Sequence, residues 1–376
     1  MAKVQILNLT HFNIGFIIYL IVYLLRKMFM KFIKFSPFLL ILIIQCFVIS
    51  CATDSNNEEL NINGEFNLEA FENAELYSIK ERGGFLMVGN DSGLFAKQKT
   101  EDTWFGLIDE EVSIRAFEII SENEIIATLY FNNQDSATIG RTTNFGESWL
   151  PYRNGFDPVY NSIPTIMEQS KNDDNTMYAG GSILRVAKST DNAENWNIVF
   201  GSWEGFGSIF FVKSTPENLW TGGSSATFHP LLYKSKDEGS TWGEISVIEN
   251  IKAIARDVKD INDYVFVGLS GNIPAANIIR RSEDNGETWE TVFEGAGIYS
   301  FTQSSRNADI IYASGRNSTG TLFFLVSDDF GDTWQTIALE DNPGEIHVND
   351  MVSVMEDGQE VIYLGTNKGL YSFTVE

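Results

Sequence analysis

The most regular feature of the chain is a short polar run that ends in tryptophan and separates apolar segments. Its clearest copy spans residues 282–289 and reads Ser-Glu-Asp-Asn-Gly-Glu-Thr-Trp. Close copies of this run end in Trp242 and Trp334, and less regular copies end in Trp149 and Trp196. Counting the Thr-Trp pair at Trp104, successive tryptophans are 45 to 47 residues apart. Self-similarity at this period is typical of solenoids and propellers.

Between these runs, short apolar segments predict four strands in each unit. An apolar-x-small-apolar pattern, which we assign to the innermost strand, occurs at residues 76–79, 114–117, 251–254 and 298–301. A second strand ends in glycine or another small residue, as at residues 85–89, 177–180, 265–268 and 361–365. Short, evenly spaced strands with turn residues between them favour a propeller over a sandwich.

The polar run has the composition of a tight turn. Its third residue can accept hydrogen bonds from nearby backbone amides, and its glycine tolerates the left-handed conformation. The third-position residues, which we assign to the scaffold, are Asn144, Asp191, Asp237, Asp284 and Asp329. The run resembles the Asp box, or BNR repeat, of sialidase-like β-propellers. That resemblance implies a fold rather than an activity, because the box is shared by proteins of unrelated function.

The repeats predict how the ring closes. The second strand can be counted seven times, and the last unit ends after its third strand. Residues 71–78 repeat the pattern of residues 293–300, which makes residues 66–71 a fourth strand ahead of the first unit. We therefore predict an all-β, seven-bladed β-propeller of four-stranded antiparallel blades over residues 65–376. One N-terminal and three C-terminal strands share the last blade, which removes two exposed sheet edges.

The N-terminal part carries the pattern of a signal region. Apolar runs occupy residues 14–25 and 35–50, and both are shorter than the roughly 20 residues that span a bilayer. The second run follows a basic start and ends in Val48-Ile49-Ser50-Cys51, which resembles a bacterial lipobox. The resemblance implies cleavage before Cys51 and lipid attachment to it; an uncleaved anchor helix is the alternative. We expect translation to start at Met28 or Met30, and residues 52–64 to form a polar tether.

Charge and composition narrow the classes of partner and chemistry. The formal net charge is −25, so nucleic acid is a poor partner, and we expect membrane contact only through Cys51. Both cysteines, Cys46 and Cys51, precede the repeats, which leaves the propeller without a disulfide, a cysteine metal site or a thiol nucleophile. His229 and His347 lack metal-ligand spacing. We expect no cofactor, no metal and a monomer.

Candidate binding residues lie in the loops at the end of the blades opposite the polar runs. Aromatic rings beside polar groups suit sugar faces or peptide side chains, and loops on a rigid scaffold commonly carry binding residues. The alternative is that the rings pack only within their own loops. The candidates are Tyr152, Arg153, Tyr160, Trp203, Phe206, Phe228, His229 and Arg316.

The resemblance raises three candidate functions, which differ in chemistry, and the sequence argues against the first of them. Sialidases carry an Arg-Ile-Pro motif that this sequence lacks. Asp-box xyloglucanases look like two propellers that each supply a catalytic aspartate, whereas this chain has one propeller. The candidate carboxylates here would be Asp109, Glu110, Glu111, Asp157 and Glu204. The layout is most similar to the photosystem II assembly and stability factor group, and more distantly to sortilin.

The interpretation from the sequence is a non-catalytic, lipid-anchored propeller that binds a protein or glycan at the bacterial cell envelope. It would be an outer-membrane lipoprotein, either periplasmic or surface-exposed. The alternative is an extracytoplasmic glycoside hydrolase, xyloglucanase-like rather than a sialidase. No catalytic residue is assigned.

Overall fold

A computed structural model describes residues 66–108, 112–131, 136–152, 164–181, 185–201, 207–247, 251–317, 319–337 and 346–375. These residues form seven antiparallel β-sheets with almost no helix, as the repeats predict. The signal region, Cys51 and the tether lie outside the described residues. In the part of the chain that is described, no helix is long and apolar enough to cross a membrane.

The strands follow one another from the innermost to the outermost position of each blade, after a single strand, β1 (Asn67–Ala70). Blade 1 consists of β2 (Leu76–Arg82), β3 (Phe85–Asn90), β4 (Leu94–Gln98) and β5 (Phe105–Ile108). In blade 2 the inner strand is divided, giving β6 (Val112–Ser113), β7 (Phe117–Ile119), β8 (Ile125–Phe131), β9 (Ser136–Thr142) and β10 (Leu150–Tyr152). Blade 3 consists of β11 (Pro164–Gln169), β12 (Met177–Gly181), β13 (Arg185–Ser189) and β14 (Asn197–Gly201).

The remaining blades repeat this order. Blade 4 consists of β15 (Ser208–Ser214), β16 (Leu219–Ser224), β17 (Pro230–Ser235) and β18 (Gly243–Glu244). Blade 5 consists of β19 (Ile254–Ile261), β20 (Tyr264–Ser270), a 3₁₀ turn (Pro274–Ala276), β21 (Ile278–Ser282) and β22 (Glu290–Glu294). Blade 6 consists of β23 (Ala296–Gln303), β24 (Ile311–Asn317), β25 (Leu322–Ser327) and β26 (Gln335–Ile337). Blade 7 consists of β27 (Val348–Glu356), β28 (Gln359–Thr366), β29 (Gly369–Val375) and β1.

The ring closes between the two ends of the repeat region, which confirms the predicted shared blade. Strand β1 pairs with β29 in antiparallel register, with Asn67 opposite Ser372 and Leu68 opposite Tyr371. The ring of Phe66 stacks on that of Tyr371, with centroids 4.6 Å apart. Without β1, the outer edge of β29 would be unpaired.

The core lies between neighbouring blades rather than in one central cluster. One apolar cluster joins Phe266 and Ile279 of blade 5 to Ile298 and Phe301 of blade 6. A Cβ atom added at Gly268 would lie 2.8 Å from Ile298 Cγ2. Small residues near the ends of the second strands therefore let the next inner strand pack closely.

The polar runs form turns that their own side chains close. Ser282 Oγ accepts a hydrogen bond from the Gly286 amide at 2.7 Å and donates one to Asp284 Oδ1 at 2.8 Å. Asp284 Oδ1 accepts from the Thr288 amide at 2.7 Å, and Gly286 has a φ of 89°. Equivalent bonds occur in the turns of Asn144, Asp191, Asp237 and Asp329.

One predicted inner strand was placed out of register. Residues 251–253 precede β19, which begins at Ile254 and pairs along β20 as far as Ile261. The segment that matches the other inner strands is residues 255–258. Sequence reasoning missed it because Asp257 occupies the position where a small residue was expected, while Ala253 fitted the pattern by chance.

Candidate binding site at the channel mouth

The seven inner strands surround a central channel. Each of them contains an irregularity in its strand pairing, and all seven irregularities lie at the same level of that channel. In six blades the pairing with the second strand skips one residue, and in blade 2 the strand is divided at that point. A β-bulge of this kind re-aims the extra side chain, and bulges are common beside functional sites. The seven extra residues, here called the mouth ring, are Tyr77, Arg115, Thr165, Phe210, Arg256, Tyr299 and Asn349. All seven line one cavity of about 120 Å³.

The two arginines of the mouth ring each contact two aromatic rings. The Arg256 guanidinium carbon lies 4.6 Å from the ring centroid of Phe210 and 4.7 Å from that of Tyr299. The Arg115 guanidinium carbon lies 5.6 Å from the centroid of Tyr77 and 5.0 Å from that of Tyr130 on β8. Cation–π contacts of this kind stabilise a charge that is partly removed from water.

Neither guanidinium has a carboxylate within salt-bridge distance among the described residues. Arg256 Nε donates to Ser270 Oγ at 2.7 Å, and Arg115 Nε is buried without a hydrogen-bond partner in the described part of the chain. Burial lowers the pKa of Arg256. Two cations are thus placed at the mouth of a strongly acidic protein, where an incoming anion or carbonyl group can reach them.

The carboxylates deeper in the channel bind the protein's own backbone. Asp257 of blade 5 accepts a hydrogen bond from the Phe301 amide of blade 6 at 2.9 Å. Asp350 of blade 7 accepts one from the Ile79 amide of blade 1 at 3.0 Å. These carboxylates join the inner strands of neighbouring blades.

Lysines balance the charge at this depth. Lys80 forms an ion pair with Glu118, and Lys213 Nζ lies 3.8 Å from Asp257 Oδ1. Burial raises the pKa of Asp257, and the Lys213 ammonium opposes that shift. The deeper channel is therefore a paired, structural layer, in contrast to the mouth ring.

The mouth ring and the polar turns lie at opposite ends of the blades. In blade 5, the channel-mouth end pairs Ile254 with Ser270, whereas the turn end pairs Val265 with Ser282. The sequence analysis placed the candidate binding loops at the end of the blades opposite the polar runs, and the mouth ring lies at that end.

The residues predicted from the sequence are only partly placed by the structure. Phe228 and His229 lie in the β16–β17 loop at the mouth end of blade 4, where the Ser225 amide donates to the His229 carbonyl at 2.9 Å. Phe228 is 58% exposed, so most of the residue is open to solvent rather than packed within its own loop. Tyr152 ends β10, and its side chain is not described. Arg153, Tyr160, Trp203 and Phe206 lie outside the described residues.

Arg316 is the predicted residue that lies beside the mouth ring. It lines a second cavity, of about 340 Å³, together with Arg256 and Tyr299. The seven mouth-ring residues themselves were missed, although a signal for some of them existed. The variable position of the apolar-x-small-apolar pattern is Tyr77, Arg115 and Tyr299 in three blades, so comparing that position between units would have identified the ring.

The described residues contain no group of three or more histidine, cysteine or acidic side chains that could hold a metal ion.

Comparisons with known proteins support the fold alone. Searches with known family models and among curated proteins found no match. A GH74 xyloglucanase from Xanthomonas campestris is 15% identical, with a TM-score of 0.60, over 82% of this chain and 53% of the enzyme. The chain thus spans about half the length of that enzyme.

Two YCF48 structures match over nearly their whole length. YCF48 bound to D1 peptide is 16% identical with a TM-score of 0.62, over 85% of this chain and 96% of YCF48. YCF48 from Cyanidioschyzon merolae is 12% identical with a TM-score of 0.59, over 82% of this chain and 98% of that protein. At these identities, the chain is similar to both groups in being a seven-bladed β-propeller.

Proposed function

We propose that this chain is a non-catalytic, lipid-anchored propeller of the Asp-box type that binds a protein or glycan at the bacterial cell envelope. The observation that carries the proposal is the mouth ring, in which Arg115 and Arg256 each make cation–π contacts with two aromatic rings. Arginine and aromatic side chains are typical of binding hot spots. A layer of ion pairs and backbone-bound carboxylates lies below them, and it supports binding rather than hydrolysis because those acids are already engaged.

A pull-down followed by an affinity measurement tests this proposal. Full-length protein in detergent is used as bait for envelope proteins and envelope glycans, and the affinity for the recovered ligand is measured by calorimetry. Arg256→Gln and Arg115→Gln each remove one of these cations, and we expect either change to weaken binding by roughly tenfold or more. Lys236→Gln is the matched control, since it removes one exposed positive charge at the turn end of blade 4. Equal affinity of all three variants and the wild type would reject the mouth ring as the binding surface.

A glycoside hydrolase is the second candidate, and one observation favours it. Burial raises the pKa of both Glu118 and Asp257 within the channel, and a catalytic acid of a glycosidase requires a raised pKa. Release of reducing sugar from xyloglucan by the wild type, lost in Asp257→Asn while the melting temperature is retained, would establish the hydrolase. No release from xyloglucan or from other envelope glycans favours the binding protein.

The lipid anchor is tested separately from the ligand. Cys51→Ala should abolish incorporation of labelled palmitate and leave an uncleaved precursor, because it removes the thiol of the lipobox-like segment. Cys46→Ala is the control, since that cysteine lies within the apolar run. If Cys51→Ala incorporates as much label as the wild type, the chain is not a lipoprotein.

A further inference from the structure

The second cavity, of about 340 Å³, lies between blades 5 and 6 and is called the side cavity here. Its walls come from the start of β19, the loop after β20, the start of β23 and the loop after β24. Residues from these segments include Arg256, Asn277, Tyr299, Arg316 and Gly320. The cavity opens at the mouth end of the blades, beside the mouth ring.

The two arginines of the side cavity are anchored in the same way. Arg256 Nε donates to Ser270 Oγ at 2.7 Å, and Arg316 Nε donates to the Gly320 carbonyl at 3.0 Å. Anchoring through Nε fixes each guanidinium while leaving its terminal nitrogens to be shared with a ligand. Planar, fixed guanidinium groups suit the two oxygens of a carboxylate.

The charge in the side cavity is not balanced by the lining. Its described lining contains two arginines and no acidic side chain. The mouth-ring cavity, by contrast, is also lined by Glu168, Asp257 and Asp350. Burial lowers the pKa of Arg256 because it takes the guanidinium out of water. An anion in the side cavity would replace the stabilisation of the positive charge that water no longer provides.

The remaining lining favours a polypeptide over a sugar. Ile254, Ile273 and Pro274 form an apolar wall, and Ile273 is 51% exposed. A pyranose ring needs a free aromatic face, whereas the Arg256 guanidinium covers one face of Tyr299, the aromatic residue of the described lining. Apolar side chains next to a fixed anion site are what an acidic peptide segment can fill.

We propose that the side cavity binds a carboxylate of an acidic polypeptide segment, with Arg256 and Arg316 as its ligands and Ile273 against the adjacent apolar side chain. This inference rests on the proposed binding function, and it specifies the partner as a protein that presents aspartate, glutamate or a C-terminus.

His347 provides a reporter close to the same site, because its charge interacts with those of Arg316 and Arg256. Burial and the nearby Arg316 and Arg256 lower its pKa, while Glu75 opposes them. A carboxylate bound between the arginines would reduce their repulsion of the imidazolium, so the pKa of His347 should rise when the cavity is filled. The wild-type chain contains three histidines, which makes labelled histidine spectra simple to assign.

The experiment titrates full-length protein, carrying ¹³C-labelled histidine, with small probes by NMR. N-acetyl-aspartate amide represents an acidic side chain, N-acetyl-leucine represents a C-terminus, and N-acetyl-asparagine amide is the neutral counterpart. Glucuronate and inorganic phosphate represent the other anion sources. We expect both amino-acid carboxylates to shift His347 saturably and to raise its pKa, with no effect from the asparagine probe.

Variants connect the shift to the two arginines. Arg316→Gln and Arg256→Gln should each weaken probe binding by roughly tenfold. Arg316→Lys keeps the positive charge but loses the paired N–H donors of the guanidinium group. Its affinity for the probes should therefore lie between those of Arg316→Gln and the wild type. Lys236→Gln should match the wild type, and melting temperatures confirm that each variant is folded.

Several results would overturn the inference. These are a His347 signal unchanged by either amino-acid carboxylate, tighter binding of glucuronate or phosphate than of both, or equal binding by the arginine variants. Probe binding without any protein recovered in the pull-down would retain the anion site and reject the proposed protein-binding function. The two failures are therefore distinguishable.

Discussion

Arg281 of blade 5 donates a hydrogen bond from Nη1 to the carbonyl oxygen of Phe330 in blade 6, at a distance of 2.8 Å. Phe330 has a φ of 55° and lies in the polar turn of its own blade. Lys188 makes the same bond to the Glu238 carbonyl at 3.1 Å, and Lys234 makes it to the Asn285 carbonyl. Each of these basic residues immediately precedes the serine of its own turn. A basic residue at this position therefore fastens the turn of the next blade.

The first prediction concerns this contact between blades. Arg281→Met keeps the aliphatic stem but removes the bond to the Phe330 carbonyl and the bonds, each at 2.6 Å, to Asp332 and to Glu290. The side chain is 7% exposed, so the loss of charged hydrogen bonds should lower the free energy of unfolding by about 2–3 kcal/mol. Chemical denaturation measures the change. Lys236→Met, at an exposed position in the turn of blade 4, is the control and should be nearly neutral; equal effects would show that the contact adds no stability.

The second prediction concerns the closure of the ring. Phe66 is 9% exposed and stacks on Tyr371 across the seam. Phe66→Ala should cost about 3 kcal/mol, because it leaves a cavity where the two ends of the chain meet. Leu68→Ala changes the adjacent strand at a side chain that is 42% exposed, and should cost under about 1 kcal/mol. If the two variants have the same melting temperature, the packing of Phe66 at the seam contributes no more to stability than an exposed surface residue does.

Ring closure and blade number were predictable because the turn that marks each blade is formed locally. The hydrogen bonds of one such turn join residues of a single short run, namely Ser282, Asp284, Gly286 and Thr288. All the residues that form the turn can therefore be recognised in one stretch of sequence. The match between the two chain ends was visible for the same reason. Even the degenerate copy at Asp191 keeps these bonds, although Ala193 replaces the glycine with a φ of 67°.

The candidate site was not predictable in the same way, because its contacts join different blades. Arg256 is defined by Phe210 in the blade before it and Tyr299 in the blade after it. Nothing near Arg256 in the sequence indicates either ring. A bulge also shifts the register by one residue, and a period-two pattern does not reveal which residue it adds. The sequence prediction instead chose residues in loops rich in aromatic side chains. Four of these candidate residues lie outside the described part of the chain.

The third prediction separates the turn's hydrogen bonds from its charge. Hydrogen bonds from the hydroxyl and amide of Thr288 lower the pKa of Asp284 to about 2. An unfolded aspartate titrates near 3.9, so this carboxylate contributes stability above about pH 4, and the contribution is lost as pH falls toward 2. Asp284→Asn should remove this pH dependence yet keep most of the stability at pH 7, because Asn144 in blade 2 likewise accepts from the Ser148 amide and donates from Nδ2 to the Ser148 hydroxyl.

Melting temperatures between pH 2.5 and pH 7 test the third prediction. Asp284→Ala should melt below the wild type at neutral pH, since the Thr288 amide then loses its acceptor. The expected pattern is a wild type that approaches Asp284→Ala at the acid end, with Asp284→Asn nearly level throughout. A wild type and an Asp284→Asn variant with parallel acid profiles would mean that the turn carboxylate does not contribute to the acid transition.

The fourth prediction concerns His347, whose pKa is lowered by burial and by Arg316 and Arg256. An unfolded histidine titrates near 6.5, so the unfolded state takes up the proton first as the pH falls. The stability that comes from the neutral imidazole is therefore fully present above about pH 6.5 and is lost as the pH falls through the lower pKa of the folded state. His347→Gln should flatten the stability profile in this window, while His229→Gln, at an exposed loop position, should leave it unchanged. Chemical denaturation at half-unit steps from pH 5 to pH 8 makes the comparison. A profile that persists in His347→Gln would assign the pH dependence to another group.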